Sequence, residues 1–107
     1  MNSAPPAPSS TAVVQALHEL IDPEVAVNVV DLGMIADVSV SEFGEVSVSI
    51  RPTTPGCPMH DVLADGARAI VGRLAGVTSV DVGFVYSPPW TPDRISPAGR
   101  AALQARS

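Results

Sequence analysis

Between residues 36 and 86 the apolar positions change period twice, and few architectures accommodate that. Ala36, Val38 and Val40 alternate with Asp37, Ser39 and Ser41, the pattern of a strand with one buried face. Phe43-Gly44 makes a turn, after which Val46, Val48 and Ile50 alternate with Ser47, Ser49 and Arg51, so the two runs read as a hairpin. From Pro58 to Ala75 the spacing becomes helical, with Met59, Val62, Leu63, Ala67, Ile70, Val71 and Leu74 on one face. Asp61 in the first turn and Arg73 in the last suit the helix dipole, and Gly76 follows as a stop. Alternation returns with Val80, Val82, Phe84 and Tyr86 against Asp81 and Gly83. A strand–helix–strand unit of this kind predicts parallel second and third strands with a right-handed crossover.

The flanks complete the architecture. Met1 to Ser10 is rich in Pro, Ala and Ser and reads as a disordered tail ahead of a single domain spanning 11–107. Ser10 or Thr11 caps a first helix with Val13, Val14, Leu17, Leu20 and Ile21 on one face, ended by Asp22-Pro23. Glu24 to Gly33 follows as an apolar loop that carries too many valines to stand in water. Ser87-Pro88-Pro89-Trp90-Thr91-Pro92 ends the third strand. Ser96 caps a short last helix, with Pro97 at its first position. The fold class is therefore α/β in the α+β sense: a two-layer α-β-β-α-β sandwich, helices on one face of a small mixed sheet, plus a short C-terminal helix.

Charge excludes some functions. Six basic against eleven acidic residues give a net charge of −5, with no basic cluster, which argues against nucleic acid and anionic membranes as partners. No run approaches the ~18 apolar residues of a membrane span, and Met1 to Ser10 lacks the charge and apolar core of a signal peptide. A single cysteine forms no internal disulfide and fits a cytoplasmic setting.

That cysteine stands in Thr53-Thr54-Pro55-Gly56-Cys57-Pro58-Met59-His60. Gly56 permits a sharp turn before the thiol, and Pro58 suits a first helical position, which puts Cys57 at or beside the N-cap. There the helix dipole favours thiolate, the form that attacks electrophiles and binds metals. The competing reading is a small buried apolar residue.

Asp22-Pro23-Glu24, Asn28-Val29-Val30-Asp31-Leu32-Gly33, Thr53-Thr54-Pro55-Gly56-Cys57-Pro58 and Pro88-Pro89-Trp90-Thr91-Pro92-Asp93-Arg94 occur in this order. Over residues 11 to 105 the chain thereby resembles the metal-sulfur cluster biosynthetic family. That family includes SufT-like iron–sulfur assembly factors, the eukaryotic cytosolic iron–sulfur targeting subunit and the phenylacetate-degradation D proteins. The resemblance implies an iron–sulfur-cluster-assembly-like fold, an exposed reactive Cys57, and a polar surround of Asp22, Glu24, Thr53 and Thr54. Two departures stand out. Arg51-Pro52 replaces the more usual Thr-Leu, and the cysteine-rich zinc-binding tail of the D proteins is absent.

Each residue also has a plainer role. Thr53 and Thr54 can end a strand, and Asp22 can end the first helix while Glu24 is solvated. Asp31 reads as a turn residue bonding backbone amides, with Gly33 permitting the chain reversal. His60 reads as a solvated first-turn residue rather than one of two ligands in a Cys-x-x-His pair, since a closed zinc site takes four. His18 reads as surface, and Trp90 as packing over the sheet end rather than a partner anchor.

The expected function is a non-enzymatic iron–sulfur assembly or maturation factor. A transient iron–sulfur cluster or iron would be held through Cys57, with none stably bound by one chain, because a stable cluster takes four protein ligands. Client apo-proteins or assembly proteins would be partners, and a homodimer would offer two thiolates. The rivals are an accessory protein of a multicomponent oxygenase and a thiol enzyme with Cys57 as nucleophile. The latter lacks an evident oriented base. A small RNA-binding module is opposed by the acidic charge.

Overall fold

The computed structural model describes residues 5–54 and 59–105. In chain order it contains α1 (Ser10–Leu17), β1 (Ile35–Val40), β2 (Glu45–Ile50), α2 (His60–Gly72), β3 (Ser79–Phe84), a short 3₁₀ turn at Pro92–Arg94, and α3 (Pro97–Ala105). The three strands form one mixed sheet in the order β1-β2-β3, with β1 antiparallel and β3 parallel to β2. The expected architecture and the parallel pairing are both present.

Register explains why one sheet face carries the core. Ile35, Ile50 and Phe84 lie in one row, Val38, Val48 and Val82 in the next, and Val40, Val46 and Val80 in the third. The central residues Val46, Val48 and Ile50 are buried, while Glu45 and Ser47 on the opposite face are exposed. Burying each such aliphatic side chain contributes roughly 1.5–3 kcal/mol. Simple alternation places Ala36 first among the inward residues of β1. A bulge between Ile35 and Asp37 makes Ala36 the extra residue instead and brings Ile35 opposite Ile50.

Several boundaries differ from the local signals. The N-cap of α1 is Ser9, whose Oγ accepts the Ala12 N–H at 3.0 Å, rather than Ser10 or Thr11. Regular helix ends at Leu17, so Leu20 reaches the core from a turn, while Ile21 is 48% exposed. In α2 the N-cap is Met59 and the helix runs His60–Gly72, shorter at both ends than the 58–75 span its apolar spacing predicts. Arg73 follows the last helical residue, where it reaches Glu19 at 3.5 Å. Leu63, Ala64, Ala67 and Val71 are buried, but Val62 is 53% exposed: it sits one position off the inward stripe. β3 ends at Phe84, leaving Tyr86 beyond it and 47% exposed.

The 24–33 loop is packed, as its valines require. Val27, Val29 and Leu32 are buried, with Met34 just beyond. The loop is held to the far end of the chain through Asp31. Asn28 Nδ2 donates to Asp31 Oδ2 at 2.8 Å, the Asp31 N–H donates to Asn28 Oδ1 at 2.9 Å, and Ser96 Oγ donates to Asp31 Oδ1 at 3.0 Å. The Asp31 carboxylate thus binds side chains rather than the turn amides. Ser96 also caps α3, accepting the Gly99 N–H at 3.0 Å. Gly33 adopts φ 74°, and a β-carbon there would fall 2.2 Å from the Arg94 carbonyl oxygen, so this close approach requires glycine. Among the described residues, no helix is long and apolar enough to cross a membrane.

Candidate functional site

Three residues of the expected polar surround meet in one cleft, together with Trp90. Asp22 and Glu24, from the turn after α1, and Thr53, just past β2, share it with Val25, Leu32, Trp90, Pro92, Ile95 and Leu103. Its volume is about 330 Å³, within the range of pockets that hold one small ligand or side chain. The floor is aliphatic and aromatic, and oxygen donors stand at its wall.

Local structure fixes the acidic wall. The Glu24 N–H donates to Asp22 Oδ1 at 2.8 Å, a turn in which the aspartate side chain substitutes for a backbone acceptor. The Asp22 N–H donates to the Val27 carbonyl at 3.0 Å, and the Ala26 N–H donates to the Asp22 carbonyl at 2.8 Å. These bonds hold Ala26 at φ 58°, a left-handed conformation that costs a residue with a β-carbon roughly 1–2 kcal/mol. Asp22 is only 4% exposed, whereas Glu24 is exposed. Asp22 therefore shapes the turn beyond α1 and lines the cleft as well.

The opposite wall comes from the C-terminal third. Trp90 Nε1 donates to the Leu32 carbonyl at 2.7 Å, which pins the indole against the packed loop. Arg51 Nε donates to the Pro88 carbonyl at 2.7 Å, tying the end of β2 to the same segment. Trp90 is thus a cleft wall. Leu32, Ile95 and Leu103 are further cleft residues that no local pattern marks, since each is an ordinary apolar position in its own element.

The remaining candidates divide clearly. Thr54 is exposed and does not line the cleft. Gly56, Cys57 and Pro58 lie outside the described residues. Asp31 and Gly33 serve the loop and α3. Hydrogen bonding from Asn28 holds the Asp31 carboxyl below the usual aspartate value, helped by Ser96 and by His18 nearby, against the opposing effect of burial. His18 keeps Nε2 at 3.9 Å from Asp31 Oδ1 with its side chain 45% exposed, which makes it a surface residue. Asp93 is also held low, chiefly by the Thr91 hydroxyl donating to it.

His60 is not a solvated residue. Its ring stacks on Phe84 at 4.4 Å between centroids with an 18° tilt, and Tyr86 Oη lies 3.5 Å from Nδ1. Nε2 is buried without a hydrogen-bond partner among the described residues. Phe84 lies 24 positions further along the chain, so nothing near His60 in sequence announces the stack. Among the described residues, no group of three or more His, Cys, Asp or Glu side chains is placed to hold a metal ion.

Comparison with known proteins bears on this geometry. The family described as "Iron-sulfur cluster assembly protein" matches residues 10–82. The chain is 33% identical over 91 residues to the Fe-S protein maturation auxiliary factor YitW of Bacillus subtilis, covering 85% of this chain and 89% of that protein. It is 33% identical over 84 residues to the Fe-S protein maturation auxiliary factor SufT of Staphylococcus aureus, covering 78% and 96%. The crystal structure of a domain of unknown function from Bacillus anthracis superposes with a TM-score of 0.85 at 28% identity, covering 89% of this chain and 91% of the other.

Proposed function

Because this chain belongs to the iron–sulfur cluster assembly protein family, we propose that it is a maturation auxiliary factor that transiently holds an iron–sulfur cluster or iron through Cys57 and passes it to a client apo-protein. The observation that carries this reading is the cleft. Asp22, Glu24 and Thr53 arrive from two separate segments, and Thr53 leads the chain directly into Pro55-Gly56-Cys57-Pro58. The cargo would meet one soft thiolate, with hard oxygen donors and a hydroxyl close in sequence or space. The apolar floor of Val25, Leu32, Trp90, Ile95 and Leu103 would seat a side chain of the client and exclude water while ligands exchange.

One cysteine per chain sets the character of the chemistry. A cluster ordinarily takes four protein ligands, so a single thiolate gives weak, exchangeable ligation, completed by the client, an assembly protein or a small thiol. Exchangeable ligation is what a carrier needs and an electron-transfer protein does not.

The test is anaerobic reconstitution with iron, sulfide and a small thiol, followed by visible absorption and challenge with a chelator. Wild type is expected to form a labile chromophore that the chelator bleaches quickly. Cys57→Ser is expected to form none and to lower client maturation on the order of tenfold or more, with stability changed by less than about 0.5 kcal/mol. A Cys57→Ser protein that takes up iron as well as wild type would overturn the thiolate role.

A further inference from the structure

β3 lies at one side of the sheet, and its outer edge is open. The Val85 N–H donates to the Ile50 carbonyl at 2.9 Å, which sets the phase of the ladder. Asp81, Gly83 and Val85 turn their backbone groups toward β2, so Val80, Val82 and Phe84 turn theirs away from it. Among the described residues, the outward N–H and C=O groups of these three find no hydrogen-bond partner. Asp81 is the one charge on this edge. Its sequence, SVDVGF, has no proline, no lysine and no bulge against β2. β1, at the other side, carries the bulge at Ala36 and packs against α1. Val80, Val82 and Phe84 are only partly buried, although their row neighbours Val46, Val48 and Ile50 are fully covered. They form an apolar strip beside unpaired backbone.

We propose that this edge receives a second copy of the chain, β3 against β3 in antiparallel pairing about a two-fold axis at Val82. That register is the one the strand selects for itself. It pairs Val82 with Val82, and Val80 with Phe84 of the second copy, so every outward N–H of the three residues meets an outward carbonyl. The apolar side chains of both copies then lie on the same, helix-covered face. The charges agree with it. Asp81, the one ionised residue of the strand, falls opposite Gly83 of the second copy instead of opposite another aspartate. Moving the axis to Asp81 would juxtapose two carboxylates. Joining the copies yields a continuous six-stranded sheet. Because each chain carries −5, association strengthens as salt rises. This interface is independent of the proposed thiol chemistry, and a dimer without iron uptake, or iron uptake by a monomer, separates the two.

Sedimentation equilibrium of the full chain, in reducing buffer at low and high salt, tests it with three variants. Val82→Pro removes an outward N–H and no bond to β2, and is expected to be monomeric. A β-carbon on Gly83 meets no atom within 4 Å, so both Gly83→Asp and Gly83→Lys fit the folded chain. Gly83→Asp faces Asp81 of the second copy twice over and is expected to weaken the dimer about tenfold. Gly83→Lys makes two opposite-charge pairs and is expected to tighten it. If Val82→Pro fails to fold, this opposition between the Gly83 variants decides. A monomer at every concentration overturns the second copy as occupant and leaves the edge to a strand of another protein. A dimer indifferent to the sign of the charge at position 83 overturns the β3 register.

Discussion

Asp22 and Asp31 stand at the two ends of one packed loop, yet their carboxylates are used in opposite ways. Both oxygens of Asp31 are engaged: Asn28 and Ser96 each donate to one, and His18 lies 3.9 Å away. These contacts join residues 28–33 to the start of α3, 65 positions along the chain. Asp22 is the more buried, at 4% exposure, but its carboxylate accepts only the Glu24 N–H among the described residues, and it lines the cleft. Among the described residues the buried polar atom without a partner is His60 Nε2 and not an Asp22 oxygen, so the unbonded Asp22 oxygen is accessible. The proposed function assigns its unused acceptor capacity to a cargo or client that enters the cleft. On that reading the pair separates an aspartate that holds the fold from one left open toward the cleft.

The comparison breaks most visibly if Asp31 is removed. Asp31→Ala strands the Asn28 amide and frees Ser96, and hydrogen bonds to a charged group each contribute about 1.5–3 kcal/mol. Unfolding in urea should show a loss of about 2–3 kcal/mol with little change in m-value. Client maturation per folded molecule should hold, since Asp31 does not line the cleft. A variant as stable as wild type would dissolve the distinction.

A gentler probe is pH. Hydrogen bonding from Asn28 depresses the folded-state pKa of Asp31 below the usual aspartate value. The folded protein therefore holds fewer protons on this group than the unfolded chain in that range. The stability it contributes is complete above the unfolded pKa and is lost as pH falls through the folded one. Urea midpoints of wild type and Asp31→Asn should differ by a constant amount near neutrality and converge below about pH 4. A difference that grows on acidification would mean the carboxyl is protonated in the fold.

These contrasts also mark what a sequence discloses. α2 and the hairpin are legible because their signals are local: a helical stripe of apolar residues, and alternation around Phe43-Gly44. The cap of α1 is ambiguous because Ser9, Ser10 and Thr11 are all competent cappers in a row. The bulge at Ala36 is hidden because register belongs to the partner strand. The Asp31–Ser96 bond, the Trp90–Leu32 bond and the His60–Phe84 stack each join residues far apart in sequence, so no window contains both members. Family resemblance alone groups Asp22, Glu24, Thr53 and Thr54; only the folded chain separates Thr54 from the other three and supplies the apolar residues that make their meeting place a cleft.

The smallest effect on stability should come from Asp22→Asn, and it is the one that sharpens the comparison furthest. The amide oxygen of asparagine can still accept the Glu24 N–H, so the turn that holds Ala26 at positive φ survives. What is lost is the difference between a charged and a neutral acceptor in one hydrogen bond. The net change should lie within about 1 kcal/mol of zero, against the loss of about 2–3 kcal/mol expected at Asp31. Function should move the other way. The oxygen that lines the cleft becomes neutral, and half of its acceptor capacity becomes a donor. Client maturation, measured against folded protein, should therefore fall several-fold, and Asp22→Glu should not restore it, because the extra methylene misplaces the carboxylate in a tight turn. If Asp22→Asn instead loses as much stability as Asp31→Ala and matures its client normally, Asp22 is a second fold-holding aspartate. The cleft would then have to act through Glu24, Thr53 and its apolar floor alone.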